Sequence, residues 1–175
     1  MLFLSPRNAE NIQVYIAICC DDGALSSCGF YERRQKIKLC TEILATNDTL
    51  DKMTKTWHGL LQRGIQVKSL AGLRIYRTEM GAFVSRRRSI NADLDLVPSA
   101  TPLRDSEEAF LSARADIIAN VYAPFEEFTD YSPPMALRNQ LRLVLNDLYA
   151  EQSATAAINR SVDAMIARNG LRLKK

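Results

Sequence analysis

The sequence predicts an α+β fold that is predominantly α-helical, with a small antiparallel sheet beside helices and a C-terminal helical array. Three observations support this fold class. Apolar residues recur at intervals of three and four residues in several segments, as on the buried side of a helix. Residues 65–78 instead alternate apolar and polar side chains, as strands do. The chain is 47% hydrophobic and 25% charged, which is typical of a globular protein with a sizeable core.

Two helices are predicted in the first part of the chain. Residues 31–45 carry apolar side chains at helical spacing, and residues 50–61 do so more clearly. We expect Asn47 or Thr49 to cap the second of these helices and Gly64 to end it.

Four segments of the first part predict strands. Residues 12–20 are rich in β-branched side chains and predict a buried strand, with a helix as the alternative. Residues 65–70 and 73–78 alternate on either side of Ala71-Gly72, as in a two-stranded hairpin. Residues 82–84 could add a third short strand.

The second part of the chain predicts helices after an irregular connection. Residues 85–105 contain two prolines and no sustained period, so they predict a linker or surface loop. Residues 105–108 have the pattern of a capping box, and the helix that follows extends over 110–121 until Pro124 ends or kinks it.

Two further helices are predicted to close the array. Pro133-Pro134 begins the first, whose apolar side chains lie within residues 137–148. Ser153 or Thr155 can cap the second, and residues 169–171 (Asn-Gly-Leu) have the composition of a glycine C-cap with a following hydrophobic contact.

Charge divides the chain into a basic front and an acidic back. Residues 1–90 carry 14 Lys and Arg against 8 Asp and Glu, whereas residues 91–175 carry 9 against 12. We therefore predict a basic α+β lobe over 1–90, a linker over 91–105 and an acidic helical lobe over 106–175, which could share one core with the first.

The basic residues of the front lobe are the strongest functional signal in the sequence. Arginine makes bidentate contacts to phosphate, and several such contacts give salt-dependent affinity for nucleic acid. Two aromatic residues, Tyr76 and Phe83, could stack on unpaired bases, so RNA is favoured. The predicted nucleic-acid-binding residues are Arg33, Arg34, Lys36, Lys38, Arg74, Arg77, Arg86, Arg87 and Arg88.

Other interpretations of the charge pattern remain open. The basic residues could form a solvated face with partners inside the chain, such as Glu32, Glu42 and Glu79. Opposite charges on the two halves could also favour contact between copies, so we expect a homo-oligomer, in the extreme a nucleocapsid or coat-like assembly. The alternative function is a regulatory or adaptor module whose helical C-terminal half docks a partner protein, which an exposed apolar stripe over 137–148 would favour.

Binding is predicted rather than catalysis. The sequence contains no phosphate-binding loop, dinucleotide-binding motif, zinc-protease motif or serine nucleophile elbow. Its one histidine, His58, follows Trp57, which we expect to anchor the core. A cleft that joins Asp21 or Asp22 with His58 or an arginine would be needed for an enzyme, and no catalytic residue or cofactor is assigned.

The cysteines predict neither a metal site nor a disulfide framework. Their spacing does not fit a zinc site, so we expect small buried hydrophobic side chains with reduced thiols. They are Cys19, Cys20, Cys28 and Cys40. With no secretory signal and no apolar run long enough to span a bilayer, we expect a cytoplasmic or intracellular protein with no membrane partner.

Two parts of the chain resemble known families. Tyr122-Ala-Pro and Ser132-Pro-Pro, with Ala45-Thr-Asn and Trp57 upstream, resemble the coat proteins of flexuous plant viruses, which are helical and bind RNA. Residues 97–170 resemble the closing helices of extracytoplasmic sugar-binding proteins. Other motifs of both families are absent, so no functional residue is assigned from either.

Overall fold

The computed structural model describes residues 27–129 and 132–171, and every regular element within them is helical. The four long helices are α1 (Ser27–Gln66), α2 (Leu73–Ala92), α3 (Thr101–Ile117) and α4 (Pro134–Arg168). A 3-10 turn (Pro98–Ala100) precedes α3, and a π-helical turn (Ile118–Tyr122) and a 3-10 turn (Ala123–Glu127) follow it. The helical character is thus confirmed and the antiparallel sheet is wrong, whereas the predicted strand over 12–20 lies outside the described residues.

The helices form an antiparallel four-helix bundle. Each helix packs on the next one in the chain, and α1 packs on α4. Lys36 and Asn47 of α1 bond to Asn169, just after α4, and to Asn159 of α4, so residue numbers rise along one helix as they fall along the other. This up-down-up-down arrangement follows from short connections between long helices.

One core joins side chains from all four helices, on both sides of residues 91–105. At its centre the Trp57 ring stacks on the Tyr122 ring with 3.9 Å between centroids, and the Phe125 ring meets the same indole edge-on at 5.6 Å. Trp57 and Phe125 are completely buried. The prediction that Trp57 anchors the core is confirmed.

The predicted hairpin is replaced by the end of α1, a turn and the start of α2. Alternation over a few residues also fits a helix, and the deciding positions in α2 are Leu73, Met80 and Val84, which are buried at helical spacing. Ile75, an inward residue of the predicted strand, is 68% exposed. The predicted strand over 82–84 likewise lies within α2.

Gly64 does not end α1. Because it has no side chain, the residues that follow the helix can turn back and pass close to the Gly64 backbone. A Cβ at Gly64 would lie 2.7 Å from the Ser69 carbonyl oxygen and 2.8 Å from a Leu70 methyl. The Ser69 N–H bonds to the Gly64 carbonyl and the Lys68 N–H to the Ile65 carbonyl, which is a Schellman motif. Lys68, with φ of 56°, holds the left-handed position that glycine usually fills.

Two predicted helix starts are wrong because a longer helix continues through both of them. Thr49 donates its hydroxyl to the Ala45 carbonyl at 2.8 Å, so it is satisfied inside α1 instead of capping a new helix. Ser153 and Thr155 likewise lie inside α4. Most of the predicted linker over 85–105 is also helical, because α2 runs to Ala92 and α3 begins at Thr101.

The predicted ends of α4 are confirmed. The helix begins at Pro134, and Gly170 has φ of 58° just beyond its end. The Leu171 N–H bonds to the Ile166 carbonyl at 2.9 Å, and the Leu171 side chain is buried.

Candidate functional site

The two lysines of the predicted binding set lie on α1 beside carboxylates of the same helix. Lys36 is buried, with its Nζ 2.7 Å from Glu32 and 2.9 Å from the Asn169 amide oxygen. The ammonium lowers the pKa of Glu32, chiefly through their hydrogen bond. Lys38 is exposed, with its Nζ 3.8 Å from Glu42. Lys36 therefore joins α1 to the end of α4 rather than facing solvent.

Two of the predicted arginines on α2 share one carboxylate. Arg74 and Arg77 both donate to Glu126, in the 3-10 turn after α3, with 3.0 Å from the Arg74 Nε. The hydrogen bond from Arg77 is the largest contribution to a lowered pKa of Glu126. The predicted stacking residues on the same helix, Tyr76 and Phe83, are partly buried against the core.

The arginine run on α2 bonds to α1 and α3. Arg87 lies between Glu107, at 2.9 Å, and Glu42, at 3.2 Å. Burial raises the pKa of Glu107 despite its bond to Arg87. Arg88 lies 2.6 Å from Glu108. These ion pairs connect three helices of the bundle.

Three predicted arginines have no carboxylate within ion-pair distance among the described residues. All three are exposed, and Arg33 donates to the Gly170 carbonyl at 3.4 Å. Six of the nine predicted basic residues are therefore ion-paired within the chain. Two of the three carboxylates suggested as internal partners, Glu32 and Glu42, form such ion pairs, whereas Glu79 pairs with none of the nine among the described residues. The role of the nine in nucleic-acid binding stays a prediction.

A polar cluster that the sequence alone did not reveal lies inside the bundle. Arg114 of α3 pairs with Glu151 of α4 at 2.5 Å and donates to the Thr54 hydroxyl of α1, also at 2.5 Å. The Tyr122 hydroxyl donates to Glu151 at 2.9 Å, and burial raises its pKa. The signal was present in the sequence, because Arg114 and Glu151 each fall on the apolar register of their helix.

His58 borders this cluster on α1. Its ring meets the Tyr122 ring edge-on at 5.9 Å, and its buried Nε2 has no hydrogen-bond partner. Burial lowers the pKa of His58, so the neutral imidazole is favoured. Within the described residues no group of three or more potential metal ligands occurs. We therefore interpret this cluster as the polar centre that fixes how α1, α3 and α4 align.

Cys40 behaves as the sequence predicts. Its side chain is completely buried and unbridged, and burial raises the pKa of the thiol to about 11. The thiol is therefore a buried hydrophobic group rather than a nucleophile. Cys19, Cys20 and the side chain of Cys28 lie outside what the structure describes.

The outer side of α4 carries a row of exposed apolar and basic side chains. The inner side is fixed by the core, which Val144 enters and against which Leu137 and Leu141 pack. Five exposed residues follow one another in steps of three and four, so they share one side of the helix. We call this row the α4 stripe; it consists of Met135, Arg138, Arg142, Leu145 and Tyr149.

The apolar members of the α4 stripe are well exposed. Tyr149 is 75% exposed, Met135 61% and Leu145 58%. Neither Arg138 nor Arg142 has a hydrogen bond or ion pair within the part of the chain that the structure describes. The α4 stripe begins beside a cleft of about 420 Å³ between the end of α1 and the start of α4, with Ile65 and Leu137 in its lining.

Comparison of the chain with protein-family models, curated proteins and solved structures gives no match, so neither resemblance noted in the sequence gains support. No helix within residues 27–129 and 132–171 combines the length and apolar character that a membrane span requires.

Proposed function

We propose that this chain is a protein-interaction module of the regulatory or adaptor kind, and that the α4 stripe is its docking surface. The single observation that carries the proposal is the exposure of Met135, Leu145 and Tyr149 on one side of a helix whose other side is occupied by the core. Recognition between helices, or between a helix and a groove, uses an exposed apolar row of this kind as the contact surface.

The composition of the α4 stripe supports the same conclusion. Aromatic residues, methionine and arginine are the side chains most enriched where proteins bind one another. Four of the five stripe residues belong to these types, namely Met135, Arg138, Arg142 and Tyr149. The arginines have no carboxylate partner among the described residues, so pairing them with a partner breaks no internal ion pair.

Nucleic-acid binding is the competing hypothesis. It is supported by the basic front of the chain and by Arg34 and Arg86, which are exposed and free of carboxylates within the described residues. It is weaker because binding through the other predicted residues would have to compete with ion pairs that join the helices, such as those of Arg87. Binding of nucleic acid is therefore the alternative outcome of the experiment on the docking surface.

A matched pair of variants tests the docking proposal. Leu145→Glu places a charge in the α4 stripe, whereas Leu143→Glu makes the same change two residues away, about 160° around the helix. Both positions are exposed, so we expect both variants to fold with the wild-type thermal stability.

Peptides that bind the full wild-type chain are first selected from a displayed library of helical peptides. The binding of each selected peptide to the two variants is then compared with its binding to the wild type. We expect enriched peptides that bind wild type and Leu143→Glu equally and lose binding to Leu145→Glu. Enrichment of no peptide, or peptides that bind all three proteins equally, contradicts the proposal. Salt-dependent binding of single-stranded RNA that is lost in Arg34→Ala/Arg86→Ala and unchanged in Leu145→Glu would favour the competing hypothesis.

A further inference from the structure

The charges around the α4 stripe limit what can cover it. Between residues 134 and 150 the sequence contains two arginines in the stripe, Arg138 and Arg142, and one carboxylate, Asp147. Asp147 is partly buried and lies two residues from both Leu145 and Tyr149, which places it on the far side of the helix from the stripe. Within residues 134–150, the side of α4 that carries the stripe is therefore apolar and positive, with no negative side chain.

A second α4 stripe is a poor occupant for this surface. Two α4 stripes packed face to face would bring four guanidinium groups into one interface and supply no stripe carboxylate to pair with them. Like charges brought together in this way disfavour association. A partner that carries carboxylates at matching positions gains from the same arginines.

The spacing of the α4 stripe indicates the shape of the partner. Met135 and Tyr149 are fourteen residues apart in the sequence, and at 1.5 Å per residue the stripe is about 21 Å long. Steps of three and four residues are those at which two helices pack side by side with apolar seams in contact. A helix of about four turns would cover the whole row.

We infer that the α4 stripe binds an amphipathic α-helix with apolar residues along its seam and Asp or Glu on either side. Its apolar residues pack on Met135, Leu145 and Tyr149, and its carboxylates pair with Arg138 and Arg142. This inference rests on the proposed function and adds the chemistry of the partner to it.

Two designed peptides of about 21 residues test the inference on the full chain. Both carry Leu at positions a and d of each heptad; one carries Glu at e and g, and the other carries Lys there. Binding is measured by fluorescence anisotropy, after circular dichroism has shown that both peptides are equally helical. We expect the Glu peptide to bind wild type at least about tenfold more tightly than the Lys peptide, and to weaken as salt is raised from about 50 to about 500 mM.

Charge reversal in the α4 stripe tests which residues are responsible. Arg138→Glu/Arg142→Glu should reverse the preference so that the Lys peptide binds more tightly. Arg34→Glu/Arg86→Glu changes the net charge equally at two exposed arginines of α1 and α2, and should leave the preference unchanged. A preference that follows net charge alone, reversing in both variants, overturns the inference.

The remaining outcomes separate the inference from the proposed function. If both peptides bind equally and Leu145→Glu abolishes both interactions, the docking surface stands and the acidic partner is refuted. If neither peptide binds wild type and the displayed library also yields no binder that depends on Leu145, both proposals are refuted.

Discussion

The ion pair between Arg114 and Glu151 should make the largest single polar contribution to keeping α3 and α4 aligned. Both side chains are at least nine-tenths buried, and the atoms that join them lie 2.5 Å apart. We consider Arg114→Met, which removes the cation and keeps most of the volume, and Glu151→Gln, which removes the anion and keeps the shape. The third variant combines the two substitutions.

The expected magnitudes follow from the burial of both groups. Glu151→Gln leaves the Arg114 guanidinium buried without an anion, with only neutral acceptors: the new amide oxygen, the Thr54 hydroxyl and a backbone carbonyl. Arg114→Met leaves the Glu151 carboxylate buried with only the Tyr122 hydroxyl as donor among the described residues. Removing one partner of a buried pair costs about 3–5 kcal/mol, because the other charge stays uncompensated.

The double variant should cost much less than the sum of the single variants. No charge then remains in the cluster, so the penalty for an unpaired buried ion disappears. We expect a coupling free energy of about 2 kcal/mol or more, towards the upper end of values for contacting residues.

Urea unfolding at one pH measures the free energies of the wild type and the three variants. Far-ultraviolet circular dichroism follows the helices, and fluorescence of the single tryptophan, Trp57, follows the cluster itself because its ring stacks on Tyr122. Equal slopes of free energy against urea would show that the variants unfold from comparable states. Additive effects of the two single substitutions, within about 0.5 kcal/mol, would refute the assignment of a coupled buried pair.

Three further predictions use the same unfolding assay. Gly64→Ala should destabilise the protein by about 1–3 kcal/mol, because the added Cβ would lie 2.7 Å from the Ser69 carbonyl oxygen. Gly59→Ala, with nothing within 4 Å, is its control and should stabilise by about 1 kcal/mol; equal effects would contradict the close approach over Gly64. Lys68→Gly should stabilise by about 1 kcal/mol, because Lys68 holds a positive φ; a loss of stability would show that the turn has another conformation. Because burial lowers the pKa of His58, the unfolded chain binds the proton first as pH falls, so the free energy of unfolding should decrease below about pH 6.5, by at most about 1.4 kcal/mol per pH unit. His58→Phe should remove this part of the pH dependence, and an unchanged slope between about pH 7 and pH 5 would count against the buried neutral imidazole.

The residues of the proposed binding surfaces were harder to predict than the helices. Arg34 and Arg86 look like the other basic residues in the sequence, yet Arg87 faces two carboxylates and Arg86 none among the described residues. Which charges are paired depends on the alignment of neighbouring helices, and composition carries no information about that alignment. The α4 stripe was also hidden, because Leu145 belongs to the apolar run that predicted the helix and only its exposure separates it from Val144.

The sequence by itself determined both ends of α4, where the signals are local and strong. Pro134 cannot continue a preceding helix, and Gly170 adopts a positive φ at little cost, so the ends of α4 follow from two residues. Helical spacing of apolar residues likewise identified Trp57 as part of the core.

Only the tertiary structure decided that the helices continue through residues whose types weakly predict a helix start or end. Capping residues and an internal glycine each change helix stability by about 1 kcal/mol, whereas packing an amphipathic side along a whole bundle contributes far more. Thr49 and Gly64 therefore lie inside α1, and the alternating residues after them form a turn and a helix instead of a hairpin. The pairing of Arg114 with Glu151 depends on the same packing, because only the folded bundle brings α3 and α4 together at that level.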